Sequence, residues 1–171
     1  MKGYIHIYTG NGKGKTTAAF GLALRAVGAG KRIFIAQFVK GKSYSENDAV
    51  SNSLPAITIR QYGLDCFLYK KPTEKDFQVV KNGLDEVSRI IAGGDFDVVI
   101  LDEACIAIYY NLFTSSELIE ILKLKPEPME IIITGRYANA ELIKFADLVT
   151  EMKEVKHYYL LGVEARKGIE F

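Results

Sequence analysis

Cysteine, tryptophan and proline are scarce in this chain, and the scarcity of cysteine excludes two kinds of site. Of the 171 residues, two are cysteine, four are proline and none is tryptophan. Cys66 and Cys105 are too few and too far apart for a zinc cluster or for the disulfide framework of a small secreted domain. Cys105 follows an apolar run, and we expect it to be a small buried residue instead of a nucleophile.

Long apolar runs and a strong net charge are also missing. No uninterrupted apolar stretch approaches the ~20 residues that a membrane-spanning helix needs, and the N-terminus lacks the pattern of a secretory signal. A formal net charge of +1 gives no electrostatic reason to expect nucleic acid or a membrane surface as the main partner. The sequence therefore predicts a cytoplasmic protein that binds neither nucleic acid nor membranes.

Apolar, strand-like segments alternate along the chain with segments of helical length. This alternation is typical of the α/β class, with a mostly parallel sheet and helices on both of its faces. The predicted strands are 4–8, 32–38, 56–60, 97–101, 129–134 and 147–150. The predicted helices are 16–27, 74–92, 115–124 and 139–145. The polar stretch 40–53 is predicted to be irregular, and since no linker or repeat interrupts the pattern, residues 1–171 are predicted to form a single domain.

The segment TGNGKGKTT, residues 9–17, lies between the first predicted strand and the first predicted helix. It fits the phosphate-binding pattern G-x-x-x-x-G-K-[ST], except that Thr9 occupies the position of the first glycine. Glycines let backbone amides point inward at a phosphate, and the start of the helix adds its positive dipole end. The predicted nucleotide contacts are Gly10, Asn11, Gly12, Lys13, Gly14, Lys15, Thr16 and Thr17. The alternative is a glycine-rich turn with solvated lysines, and the role of Lys13 stays open between phosphate and solvent.

Three further side chains follow apolar strands at the edge where this loop is expected. VVILDE ends in Asp102 and Glu103, and these carboxylates would lie beside the loop if their strand is a neighbour of the first one. With the Thr16 hydroxyl they are candidate ligands of Mg²⁺ or Mn²⁺, and which carboxylate touches the metal stays open. MEIIITGR ends in Arg136, which is either a phosphate contact or a surface arginine. The spacing of His157 indicates neither metal binding nor catalysis.

These residues predict a site for a nucleoside triphosphate with a divalent metal, but they do not define a reaction. The P-loop fold serves kinases, motors, switches and transferases. Two alternatives therefore remain beside the function inferred below. One is a phosphotransferase or ATPase that acts on a small molecule, and the other is a regulator that binds a nucleotide without turnover.

Several segments, in this order, extend across nearly the whole chain: YTGNGKGKTTAAFGLALRAVGAGK, QFVKG, VVILDE, ITGR, ADLVTEM, KH and GVEARKGIEF. Together they resemble the P-loop type of ATP:corrinoid adenosyltransferase, the family of the cob(I)alamin and cob(I)yrinic acid a,c-diamide adenosyltransferases. The threonine before GNGKGKTT is itself similar to the family's form of the loop. Two departures are the absence of tryptophan and the sequence GRYAN, in which Asn139 stands where the family has proline.

The resemblance implies a P-loop NTPase-like (RecA-like) domain that transfers the 5′-deoxyadenosyl group of ATP to Co(I) of a reduced corrinoid. Triphosphate leaves intact, with Lys15 and Arg136 stabilising its charge. Thr16 and Glu103 would hold magnesium, with Asp102 close by.

The resemblance also implies a corrinoid-binding pocket and two protein partners. The family places aromatic residues, including a tryptophan, in the segment that here is RQYGLDCFLYKK. Phe67 and Tyr69, with Tyr62, would form an apolar wall for the corrin, although ordinary packing would explain these residues equally well. The family also implies a homodimer and a flavoprotein that reduces the cobalt. The alternative of a regulator without turnover extends to one that binds the corrinoid.

Overall fold

The structure is a computed structural model that describes residues 1–42, 44–64 and 71–171. Phe67 and Tyr69, the predicted corrin contacts, lie outside the described residues, as does Cys66. Six strands form one sheet: β1 (Ile5–Thr9), β2 (Ile33–Phe38), β3 (Ile57–Tyr62), β4 (Val98–Asp102), β5 (Glu130–Thr134) and β6 (Leu148–Glu151). Their order is β3-β2-β4-β5-β1-β6, and every neighbouring pair is parallel. The predicted P-loop NTPase-like α/β fold is confirmed.

Helices cover both faces of this sheet: α1 (Lys15–Gly28), α2 (Ser45–Ser53), α3 (Glu74–Gly93), α4 (Ala104–Tyr109), α5 (Ser115–Leu122), α6 (Ala140–Phe145) and a 3-10 helix (Tyr158–Leu161). One core contains Phe34, Val99 and Ile133 packed with α3, α5 and α6. The other contains Ile35, Ile100 and Ile132 packed with α1 and α2. Because successive strand residues face opposite sides, a sheet buried on both faces has continuous apolar strands, as DVVIL and EIIIT show.

Two α-helices differ from the sequence-based expectation, and the 3-10 helix was not predicted. The stretch 40–53 was predicted to be irregular, and this is wrong for α2, whose sequence SENDAVSNS consists largely of weak helix formers. Asn47 and Val50 are its buried residues. The packing of this short face, instead of a high intrinsic propensity, stabilises the helix. The pattern also did not predict α4, a six-residue helix that follows β4 directly and buries Ala104 through Ala107.

Three single residues are clarified by the packing. Cys105 is 1% exposed, and burial raises the pKa of its thiol to about 12, which confirms the expectation of an inert buried residue. Asn139, at the proline position of the family, caps α6 by accepting a hydrogen bond from Leu142 N at 2.9 Å. Tyr62, proposed with Phe67 and Tyr69 for the corrin wall, is buried and packs against Phe38 with ring centroids 5.6 Å apart.

The strand order places three functional segments at one edge of the sheet. β1, β4 and β5 all end there because parallel strands share one carboxyl edge. The metal prediction assumed that the strand ending in Asp102 is a neighbour of the first strand. This is not the case, since β5 lies between β4 and β1. Within the described ranges, no helix has both the length and the apolar character required to cross a bilayer.

Candidate nucleotide site

The loop between β1 and α1 is held in shape by a segment far along the chain. Gly12 N donates a hydrogen bond to Met152 O at 2.7 Å. A Cβ atom would lie 2.5 Å from Met152 O at Gly10 and 2.7 Å from it at Gly12, so both positions require glycine. Glycine at these two positions therefore lets the loop approach the backbone of Met152 closely, and it also lets the loop amides point inward.

Lys15 is folded into the concave side of this loop. Its Nζ donates hydrogen bonds to Gly10 O at 2.8 Å and to Gly12 O at 2.7 Å, and the residue is 7% exposed. Burial lowers the pKa of its ammonium, while the nearby Glu103 carboxylate opposes that shift. The ammonium therefore both shapes the loop and supplies positive charge at its centre.

Asp102 is the centre of a buried hydrogen-bond network at the end of β4. Its Oδ1 accepts from Thr16 Oγ1 at 2.9 Å and from Thr134 Oγ1 at 2.7 Å. Its Oδ2 accepts from Lys40 Nζ at 2.7 Å and from Gln37 Nε2 at 3.2 Å. The hydrogen bond from Thr16, at the start of α1, links the loop directly to β4, and Thr134 of the intervening β5 donates to the same oxygen. An ionised carboxylate has about four acceptor positions, and these donors fill them.

Glu103 is arranged differently from Asp102. Its backbone has a positive φ of 60°, which a non-glycine residue adopts only under constraint. Its side chain lines the pocket described below, and no described residue forms a hydrogen bond or ion pair with its carboxylate. Burial and the neighbouring Asp102 charge raise the pKa of Glu103. A carboxylate with open acceptor positions fits a divalent cation.

A pocket of about 530 Å³ opens over the loop, a size within the usual range for small-molecule sites. Its walls come from the loop, the start of α2, Arg136 and the C-terminal segment, which we define as residues 157–171. The predicted site residues that line it are Gly12, Lys13, Gly14, Lys15, Thr16, Thr17, Glu103 and Arg136. Gly10 and Asn11 do not line it, and Asp102 lies behind Thr16. His157, to which the sequence assigned no role, lines it as well.

The C-terminal segment is attached to the loop by charged side chains. Lys13 Nζ lies 2.6 Å from Glu170 Oε1 and 3.0 Å from the Tyr158 hydroxyl. Arg166 and Tyr158 also donate to the Glu170 carboxylate, and the three donors, Lys13 foremost, hold the pKa of Glu170 well below its usual range. Lys13, whose role the sequence left open, is thus paired with the protein's own carboxylate.

Replacing Glu170 with glutamine should loosen this attachment. We expect trypsin to cut after Arg166 and Lys167 several times faster in Glu170→Gln, because the segment loses the charge that holds Lys13 and Arg166. Mass spectrometry of the timed digest measures the effect. Glu164→Gln is the matched control, since Glu164 is an exposed glutamate of the same segment. Equal cleavage rates in both variants would contradict the attachment.

Lys40, Gln37 and Glu170 are functional candidates that the sequence argument did not single out. Gln37 and Lys40 belong to QFVKG, which contributed only to the family resemblance. Nothing in their spacing connects them with Asp102 or with the loop, because those contacts depend on the strand order. A buried polar pair at the end of an apolar strand is the signal that could have found them.

Comparisons with a family model and with known proteins agree on one family. The family model described as ATP:corrinoid adenosyltransferase BtuR/CobO/CobP matches residues 1–171. A corrinoid adenosyltransferase of Escherichia coli is 34% identical over 171 residues, which cover 99% of this chain and 86% of that protein. A protein of the same name from Pseudomonas aeruginosa is 30% identical, covering 99% of this chain and 84% of its own length. The corrinoid adenosyltransferase CobA of Salmonella typhimurium is 34% identical, with 99% and 86% coverage.

Proposed function

We propose a reaction for this chain, which belongs to the ATP:corrinoid adenosyltransferase family. The protein transfers the 5′-deoxyadenosyl group of ATP to the Co(I) ion of a reduced corrinoid. The products are an adenosylated corrinoid, such as adenosylcobalamin or an adenosylated precursor, and free triphosphate. The observation that carries this proposal is the pocket in which loop amides, Lys15, Thr16 and Glu103 surround one space. These groups suit a polyanion with a bound cation.

The bond changes need little acid–base chemistry from the protein. The electron pair of Co(I) attacks the C5′ carbon of ATP and forms the cobalt–carbon bond, while the C5′–O5′ bond breaks and its pair leaves on triphosphate. Since the nucleophile belongs to the corrinoid substrate, no protein base is required. This agrees with the chemistry of Cys105, whose buried thiol stays protonated.

The main task of the protein is then to bind the departing triphosphate in place. The loop amides and the start of α1 provide fixed donors for its oxygens. Lys15 supplies a buried positive charge at the same point, and Arg136 lines the pocket as a second cation. Because the loop and Lys15 are held in place before ATP arrives, they need little rearrangement as charge develops.

Thr16 and Glu103 are the residues we propose to hold Mg²⁺, or Mn²⁺ in its place. The hydroxyl of Thr16 donates its hydrogen to Asp102, which leaves its oxygen lone pairs for a cation. No three His, Cys, Asp or Glu residues of the described ranges gather into a metal cluster, so phosphates and water would complete the ligands. This fits Mg²⁺, which usually keeps several waters and binds with phosphates. When bound, the metal would neutralise charge on the triphosphate.

Phe67 and Tyr69 remain our proposed contacts for the corrin. Phe67→Ala should raise the KM for the corrinoid and leave the KM for ATP within about twofold, because an apolar wall acts on the corrin alone. Steady-state kinetics with each substrate varied in turn tests this. An equal rise in both KM values would mean that Phe67 does not belong to the corrin side.

We also propose a cytoplasmic homodimer that receives electrons from a flavoprotein, as the family resemblance implies. Apolar side chains of the 3-10 helix support an association surface, since Tyr159, Leu160 and Leu161 are each more than 70% exposed. Sedimentation of the wild type and of Leu160→Asp tests whether a dimer exists and uses this surface. A dimer in both would place the contact elsewhere.

One anaerobic assay tests the proposed reaction. Chemically generated cob(I)alamin, Mg²⁺ and ATP are mixed with the protein, the corrinoid spectrum is followed, and the phosphate product is identified. Adenosylcobalamin with one equivalent of triphosphate is the expected result. ADP or orthophosphate without a cobalt–carbon product would instead favour phosphoryl transfer.

A further inference from the structure

Lys40 occupies a turn whose backbone is unusually constrained. Val39, just before it, has a φ of 52°, a left-handed conformation that is strained for a β-branched residue. Gly63 lies against this turn so closely that a Cβ atom there would be 2.4 Å from Lys40 N. Val39 N also donates to Tyr62 O at 3.1 Å. The fold thus retains a strained turn and a required glycine at the point where Lys40 enters the site.

The side chain of Lys40 points from this turn to the centre of the site. Its Nζ is 2.7 Å from Asp102 Oδ2, the side chain is 12% exposed, and the residue lines the pocket. The Tyr44 ring centroid lies 4.9 Å from the ammonium. The Asp102 side chain is fully buried, so Lys40 is its charged partner in a medium where an unpaired charge is costly.

We propose that Lys40 is a positioning residue that assigns separate roles to the two adjacent carboxylates. Its ammonium holds Asp102 as a hydrogen-bond acceptor, so that Asp102 orients the Thr16 hydroxyl and does not bind the metal. Glu103 is then the carboxylate left to face the pocket. The inference rests on the proposed function, since it concerns the metal that accompanies ATP there.

Loss of the Lys40 charge should have an effect that simple loss of structure would not produce. Removing the charge of Lys40 leaves the Asp102 carboxylate without its cation, a short distance from Thr16 and Glu103. Both the lost positive charge and the uncompensated negative charge favour a divalent cation. Lys40→Met should therefore bind Mn²⁺ more tightly than the wild type, while its turnover falls because Thr16 is no longer held.

The test measures metal binding directly. Free Mn²⁺ is counted by electron paramagnetic resonance while the metal is titrated into protein that is saturated with ATP, without corrinoid, so that no adenosyl acceptor is present. We expect the Kd for Mn²⁺ to fall on the order of tenfold in Lys40→Met. Lys40→Arg keeps the charge and should stay within about threefold of the wild type. The double variant Lys40→Met with Asp102→Asn removes both charges and should also return close to the wild-type value.

Weaker or unchanged Mn²⁺ binding in Lys40→Met, with the fold verified by circular dichroism, would overturn the proposal. If Lys40→Met does not fold, the Kd for Mn²⁺ of the double variant is compared with that of Asp102→Asn, which keeps Lys40. Equal values would overturn the proposal, because the charge of Lys40 would then have no influence on the metal. Wild-type turnover in the anaerobic assay separates the two hypotheses. An inactive wild type with the expected Mn²⁺ pattern contradicts the proposed function alone.

Discussion

Lys15→Ala should lower kcat/KM for adenosyl transfer by a factor on the order of 10³, which corresponds to about 4 kcal/mol of lost transition-state stabilisation. Two effects combine in this variant. The departing triphosphate loses a charged contact that strengthens as the C5′–O5′ bond breaks. The loop also loses the two hydrogen bonds from Lys15 Nζ to Gly10 O and Gly12 O, which shape it before ATP arrives.

The anaerobic assay with ATP and cob(I)alamin measures the effect, and thermal unfolding shows whether the variant is folded. Lys13→Ala is the matched control because Lys13 belongs to the same loop but is paired with Glu170 at its more exposed side. We expect it to lose less than about tenfold, in the range of an exposed charge. Retention of more than a tenth of wild-type activity by Lys15→Ala would contradict the role given to this ammonium.

Glu103→Gln should have the second large effect, a fall in turnover on the order of 10² together with a higher half-saturating concentration of Mg²⁺. Glutamine keeps the shape of the side chain and one carbonyl oxygen, but it removes the negative charge that faces the pocket. Asp102 should not replace it, because its acceptor positions are filled by Thr16, Thr134, Gln37 and Lys40.

Rates measured over a series of Mg²⁺ concentrations test this prediction. Glu46→Gln removes the same charge from another part of the pocket wall and should change both values by less than about threefold. A Glu103→Gln enzyme that regains full turnover at high Mg²⁺ would show that Glu103 affects only metal affinity. Loss of activity without any shift in the Mg²⁺ dependence would contradict its assignment as a ligand.

Local patterns in the sequence were sufficient for the sheet and for the phosphate loop. DVVIL and EIIIT are uninterrupted apolar runs, and such runs have few alternatives to a strand buried on both faces. The loop was recognisable because glycines, Lys15 and Thr16 act within nine consecutive residues, so their spacing along the chain is also their spacing in the site.

The rest of the site depends on contacts between distant segments, which spacing along the chain does not reveal. Asp102 accepts a hydrogen bond from Thr16 although β5 lies between β4 and β1, and Thr134 of β5 donates to the same carboxylate. Lys40 reaches Asp102 only through the turn at Val39, and Glu170 reaches Lys13 from 157 residues away. α2 was missed since its helical conformation depends on the packing of Asn47 and Val50 against the sheet.

The contact between Gly12 and Met152 has a consequence for synthesis on the ribosome. The phosphate loop is translated well before Met152, whose backbone braces it. A nascent chain that has not yet released β5, β6 and Met152 therefore holds GNGKGKTT as an unsupported stretch. We expect nascent chains stalled before Met152 to retain no ATP. Chains stalled after the whole C-terminal segment has left the ribosome should retain it. The phosphate loop is thus synthesised long before it can become competent to bind ATP.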